Sequence, residues 1–268
     1  MDLRWSTKPE VLQKMTEALA HRGPDGHGEY WASKETCGAQ LGLGHRRLAV
    51  LDLTDEGHQP MQSASERYVI TYNGEIYNHL EIRDQIDSSY GGNHWRGTSD
   101  TETLLAAIEL WGLEDTLAKL SGMFAFGLWD KKDEKLYLAR DRIGVKPLYY
   151  YAHDGIFLFA SELKSFHQHP QFRNNRALDN ASLALYLQHQ YIPAPWCIFK
   201  NCYKVEAGCW IKFDQVFGRQ KSRCYWSVPS RFLQAKSLLT EEEALEELED
   251  HLAGAVKKRL ISDVPVAG

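Results

Sequence analysis

Nowhere in this chain do apolar residues run unbroken for the ~18 positions that a membrane-spanning helix requires, and the opening MDLRWSTKPE has no apolar stretch of the secretory kind. A cytoplasmic protein with no membrane partner is therefore expected. CxxC spacing is missing too. The five cysteines, Cys37, Cys197, Cys202, Cys209 and Cys224, form neither an even framework nor a metal-ligand pattern, so free thiols are expected rather than a disulfide network or a zinc site. GxGxxG and GxxxxGK[ST] are absent, which leaves no support for a dinucleotide or P-loop site. Positive charge is not in excess either: 31 Lys and Arg against 36 Asp and Glu give a net charge of −5. Nucleic acid is not expected as a partner.

What is present is an ordinary globular composition, 43% hydrophobic and 25% charged over 268 residues, enough for one large domain or one domain and part of another. Pro9 to Ala20 reads as an amphipathic helix that Gly23-Pro24 follow. Short strands are expected around Leu41 to Leu43, Leu48 to Leu53 and Tyr68 to Tyr72. TSDTETLLAAIELWG sets Ser99 and Glu102 at capping-box spacing before a helix that ends at Gly112, and Asn78 with Glu81 repeats that spacing. MFAFGLWD, KLYLAR, PLYYY and IFLFA are nearly continuous apolar strands, as expected of stacked sheets covered by helices. The pair His167 and His169 is read as incidental loop chemistry. Toward the C-terminus, TEEEALEELEDHLAGAVKKRLI is a helix with Thr240 and Glu243 as its capping box and acids leading bases, in accord with the helix dipole. Its stripe of Leu245, Leu248, Leu252, Val256 and Leu260 needs a partner surface.

The segment ITYNGEIYNH poses the main question. Asn73-Gly74 is a strong hairpin signal, yet no alternating return strand follows and the residues after it have helical spacing. The segment therefore reads as strand, Asn-Gly-Glu, helix, with an amide, an unencumbered backbone N–H and a carboxylate at the strand's end. In GHRRLAVLDL an arginine enters a strand, where a planar guanidinium suits bidentate capture of a carboxylate. Asp100 begins a helix, where capping alone would explain it. Together the set is complementary to an α-amino acid bearing a reactive side-chain carbonyl.

HRGPDG, GHRRLAVLDL, GHQPM, YNGEIYNH, TSDTETLL, LSGMFAFGLWD, ARDRIGVKPLYY, FASELK and YIPAP, in this order, resemble the glutaminase domain of glutamine-hydrolysing asparagine synthetases, a class II glutamine amidotransferase domain. RLISDVPVAG resembles the segment before that family's ATP-pyrophosphatase loop. The resemblance implies an α+β fold, a four-layer αββα sandwich of the N-terminal-nucleophile hydrolase type, followed by the beginning of an α/β ATP-pyrophosphatase-type synthetase domain. The division would fall at residues 1–210 and 211–268. By similarity Arg47 binds the glutamine α-carboxylate, Glu75 and Asp100 hold its α-amine, and backbone near Leu48 and Val50 lines the pocket. Asn73, through its side-chain amide, and Gly74, through its N–H, form the oxyanion hole.

In that family an N-terminal cysteine attacks the glutamine amide, and the ammonia passes to a second domain where ATP activates aspartate. The resemblance leaves a homodimer open, and it places ATP and magnesium in the synthetase domain, with no cofactor in this chain. The sequence departs from the pattern at its start, since the family opens Met-Cys-Gly-Ile and this chain opens MDLRW, with Cys37 as its first cysteine. The expectation is that the N-terminal strand of the family is not represented and that the chain as written is inactive. The alternatives are a degenerate glutamine-binding or interaction module, or a related amidotransferase or β-lactam-synthetase-like amide ligase.

Overall fold

The structure, a computed structural model, describes residues 1–2, 7–32, 39–91, 95–213, 219–229 and 239–265. Its centre is β4 (Tyr68–Ile76), β5 (Gly122–Asp130) and β6 (Lys135–Arg140), paired antiparallel. On the β4 side the sheet ends at β3 (Met61–Gln62); on the β6 side it continues through β10 (Cys209–Phe213) to β11 (Ser222–Cys224). A second layer holds β7 (Tyr149–His153), flanked by β8 (Ile156–Ala160) and β9 (Cys202–Lys204). Beside it lies the antiparallel pair β1 (Gly26–Trp31) and β2 (Gly42–Arg47). Asp2 joins the two groups, bridging Gln40 on one side and Ile156 on the other.

The period-two alternation of side chains across a strand sorts the apolar residues into three cores. Between the sheets lie Val69, Ala125, Trp129, Leu138 and Phe213 from one layer and Leu43, Leu148, Tyr150 and Phe157 from the other. Their strand neighbours Ile70, Phe124, Phe126 and Leu128 face outward onto α2 (His79–Tyr90), α3 (Asp100–Trp111) and α4 (Leu113–Lys119). On the opposite side Tyr151, Ile156 and Leu158 meet α1 (Pro9–Glu17), α5 (Leu163–Phe166) and α6 (Pro170–Asn175). The result is helix, sheet, sheet, helix, the four-layer arrangement expected.

Several local expectations change. Leu48 to Leu53 is not a strand: Arg47 donates to the carbonyls of Leu51, Asp52 and Thr54, and Asp52 sits at φ 54°, so the chain curls instead of extending. Asn73-Gly74 lies within β4, not after it, paired with Ala125 and Phe124. The Asn78 box is not made, because that side chain bridges the carbonyl of Lys119 and the N–H of Ser121. Nor is the box at Ser99, whose hydroxyl takes the N–H of Thr101 while Glu102 takes those of Arg96 and Gly97. Cys209 and Cys224 are opposed in the β10–β11 register and form a disulfide, against the expectation of free thiols; Cys197 and Cys202 are free and buried. His169 is buried, with Nε2 in hydrogen-bonding contact with Thr7 Oγ1, a packed role rather than a loop one. Since β10 and β11 complete the first sheet, its last strand lies beyond residue 210. Cys37 falls outside the described residues.

After α7 (Asn180–His189), the C-terminal helix, α8 (Glu241–Arg259), forms with the Thr240–Glu243 capping box in place. Its stripe residues Leu245, Leu248, Leu252, Val256 and Leu260 are each more than half exposed. No described helix is long and apolar enough to cross a membrane.

The packing between the sheets is checked at Phe157, which stacks on Phe213 at 4.2 Å and on Tyr150 at 5.8 Å. Phe157→Ala leaves a cavity between two rigid layers, and the expected cost is about 3–5 kcal/mol in urea unfolding.

Candidate functional site

The ends of β2 and β4, the loop after β2 and the first turn of α3 surround a cavity of about 580 Å³. That volume lies in the range of ~300–1,000 Å³ usual for small-ligand sites. Arg47, Leu48, Val50, Asn73, Gly74, Glu75 and Asp100 all line it, so the fold gathers every residue singled out from the sequence.

Asn73, Gly74 and Glu75 are consecutive on β4, and their placement follows from pairing with β5. A Cβ at position 74 would come within 2.4 Å of the Met123 carbonyl oxygen and 2.7 Å of the Phe124 Cα, so only glycine permits this approach. Phe124 turns its own N–H and carbonyl to Asp141. In an antiparallel ladder that makes Gly74 and Phe124 a pair without mutual hydrogen bonds, and the Gly74 N–H points away from β5. The Nδ2 of Asn73 is buried without a hydrogen-bond partner, as is Oε1 of Glu75. Buried polar atoms left unsatisfied are costly and uncommon in a fold. Here the residues that bear this donor and this acceptor line one cavity.

Asp100 is buried and held from two sides: its Oδ2 accepts the Tyr72 hydroxyl at 2.7 Å and the Ile76 N–H at 2.9 Å. Burial raises its pKa, an effect those two bonds oppose. The hydroxyl of Tyr72 is held well above its ordinary pKa by burial and by the negative charge of Asp100. Glu75 is pushed up to about 7 by burial first and then by Asp100, with Lys146 and Arg259 acting the other way. A cation bound between the two carboxylates would relieve both the desolvation and the like-charge repulsion.

Arg47 has its guanidinium on the carbonyls of Leu51, Asp52 and Thr54, which fixes the curled loop bearing Leu48 and Val50. Beside it His45 is lowered to about 4 by burial, then by the charges of Arg47 and His58, and its ring Nδ1 contacts Thr71 Oγ1 at 3.2 Å. A neutral imidazole therefore packs next to the arginine.

Other lining residues went unnoticed in the sequence. Arg46 has a buried Nε with no partner, and Lys146 enters from the turn after β6. Gln59 accepts the Tyr72 N–H at 2.7 Å and donates to Thr101 at 3.4 Å, tying β4 to α3 behind the site. GHQPM had marked the region of Gln59 and ARDRIGVKPLYY that of Lys146; for Arg46 the only signal was its place beside Arg47.

The cavity extends between β2 and β8. Each of those strands uses its other edge for β1 or β7, and the facing edges carry Gly42 to His45 and Leu158 to Ser161 into the cavity wall. At its far end Met1 exchanges hydrogen bonds with Phe157 at 2.8 and 2.9 Å, while Asp2 pairs antiparallel with Gln40 and Ile156. The Met1-Asp2 backbone thus lies between the chain segments of β2 and β8 and lines the same cavity as Asn73.

A sandwich of this kind, with amide and carboxylate donors and acceptors grouped on one central strand, defines an amidotransferase-type domain, and the comparisons agree. Residues 2–226 match the family model described as a glutamine amidotransferase domain; the chain belongs to this family. Over 257 residues it is 34% identical to asparagine synthetase (glutamine-hydrolyzing) 1 of Bacillus subtilis, covering 96% of this chain and 38% of that protein. It is 32% identical to amidase chry2 of Gibberella zeae, covering 96% of this chain and 36% of that protein. The chain thus spans less than half the length of these two curated relatives. Among solved structures, the glutamine phosphoribosylpyrophosphate amidotransferase of B. subtilis superposes with a TM-score of 0.57 at 20% identity, over 81% of this chain and 46% of that one. That likeness concerns the fold alone.

Because Glu75 is pushed up to about 7 in the fold, above the ordinary carboxylate value of 4.5, the folded protein binds more protons than the unfolded one between those values. Stability from this group therefore falls as pH rises from about 4.5 to about 7. In urea titrations across that window, Glu75→Gln is expected to give a flatter profile than the wild type. Asp100, shifted in the same direction, preserves part of the slope.

Proposed function

We propose that this chain is the glutamine-binding domain of a glutamine-dependent asparagine synthetase, in which hydrolysis of glutamine supplies ammonia for the amidation of aspartate. The carrying observation is the convergence of an unpartnered amide donor, Asn73 Nδ2, and an unpartnered carboxylate oxygen, Glu75 Oε1, beside Asp100 in one cavity. In this reading Glu75 and Asp100 receive the α-ammonium of glutamine, Arg47 its α-carboxylate, and backbone near Leu48 and Val50 its aliphatic chain. The side-chain carbonyl then lies at Asn73 and Gly74.

The chemistry would be acyl transfer. A thiolate adds to the glutamine carboxamide carbon, and the oxyanion is stabilised by the Asn73 amide and the Gly74 N–H. The C–N bond breaks as the nitrogen takes a proton and leaves as ammonia. Water then cleaves the thioester, releasing glutamate and restoring the thiol. No described cysteine lines the cavity, and in this proposal the thiol arrives on a strand preceding Met1 that enters between β2 and β8. ATP, magnesium and the activation of aspartate belong to the part of the longer relatives that this chain does not span. The cavity's lack of a described thiol also favours a second reading, a module that binds glutamine without hydrolysing it.

Glutamate release from glutamine separates these readings. The chain of residues 1–268 is expected to bind glutamine and release no glutamate, whereas a chain extended before Met1 by a strand opening Met-Cys-Gly-Ile hydrolyses it. In that extended chain Asn73→Ala is expected to lower kcat by about 10²–10³. Glutamate release by residues 1–268 alone would refute the assignment of the nucleophile, and an inactive extended chain that still binds glutamine would favour the binding module.

A further inference from the structure

Asp52 is a junction of the cavity wall. Its backbone carbonyl accepts from Arg47, and its side chain accepts from the backbone N–H of Thr98, at 2.7 Å, and of Thr54, at 3.1 Å. Its N–H donates to Oδ2 of Asp263 at 2.7 Å, although the two residues are 211 positions apart. Asp263 in turn donates its own N–H to the carbonyl of Val50 at 3.0 Å. The segment after α8 is thus clasped to the loop that follows β2 at two points.

The end of α8 is held on the same side of the molecule. Lys258 lies 3.4 Å from Glu81 in the first turn of α2, and the Arg259 guanidinium stands over the Tyr77 ring at 5.0 Å. An exposed ion pair of this sort contributes little by itself. The Asp263 bond differs in kind, because its acceptor is a carboxylate and its donor is the backbone of a residue at φ 54°. Asp52 cannot move without moving the carbonyl that Arg47 holds.

We infer that Asp263 is a positioning residue for the carboxylate-binding arginine: through Asp52 it sets where Arg47 stands, and so couples the segment after α8 to the cavity. This rests on Arg47 being the site of the glutamine α-carboxylate. A displacement of α8 by whatever covers its apolar stripe would then alter glutamine affinity with no contact to the ligand, a coupling carried by two hydrogen bonds on one residue.

The test uses residues 1–268 with Asp263→Ala, Asp263→Asn and Arg47→Lys. Without ligand, Asp263→Ala is expected to speed hydrogen exchange at the Asp52 amide in NMR spectra, while Asp263→Asn, which keeps an oxygen acceptor, stays near the wild type. Glutamine titrations are expected to show a loss of about five- to tenfold for Asp263→Ala. Combined with Arg47→Lys, that loss is expected to shrink, because the two residues act through one element. Unchanged exchange at Asp52, or losses that simply add, would overturn the inference. Wild-type protein that does not bind glutamine at all would instead overturn the assignment of the site, with the exchange rates still deciding whether Asp263 holds Asp52.

Discussion

The site depends on one buried carboxylate. Asp100 stands at the first turn of α3 and accepts from both the Tyr72 hydroxyl and the Ile76 N–H, so it ties the helix layer to the end of β4 on either side of Asn73, Gly74 and Glu75. After burial, its charge is the second factor that makes the neighbouring Glu75 costly to ionise. One group therefore serves as structural tether and, in the proposed function, as half of a cation site. In that reading a buried acid whose partners are neutral donors, beside a second acid with an unpartnered oxygen, receives a positive ligand group.

Groups of both polarities line the same cavity. Arg47 and Arg46 come from consecutive positions on β2 and Lys146 from the turn after β6, while His45 is kept neutral by its surroundings. A zwitterion can thus find both signs of charge there. In the same lining are Asn73, with its unpartnered Nδ2, and Gly74, placed by a strand pairing so close that a Cβ at Gly74 would meet the β5 backbone. The electrostatics of the pocket are a consequence of sheet register as much as of residue choice.

Much of this was legible in advance. The alternation of Val69 with Ile70 and of Phe124 with Ala125 already assigns them to opposite faces, and the order of motifs along the chain pointed to the αββα sandwich and to each proposed glutamine contact. The misreadings have different causes; at the two capping boxes, polar side chains that the spacing assigns to the helix's own backbone were taken by other partners. Asn78 and Glu102 have capping-box spacing but serve Ser121, Lys119, Arg96 and Gly97. Leu48 to Leu53 has strand composition, yet Arg47 draws its carbonyls into a curl. The disulfide escaped notice because Cys209 and Cys224 become neighbours only through the β10–β11 register.

The sequence by itself pointed to stacked, helix-covered sheets, through its nearly continuous apolar strands, and to groups suited to an α-amino acid with a reactive side-chain carbonyl; the four layers were implied by the family resemblance. Tertiary structure alone decided which of those groups stand free and which are already engaged. It left Asn73 Nδ2 and Glu75 Oε1 without partners in the cavity lining, committed Asp100 to Tyr72 and Ile76, and set Asp263 against Asp52. The physical reason is that spacing along the chain governs only contacts within a helix turn or a strand. A hydrogen bond across 211 residues exists only once the sheets and helices between them have packed.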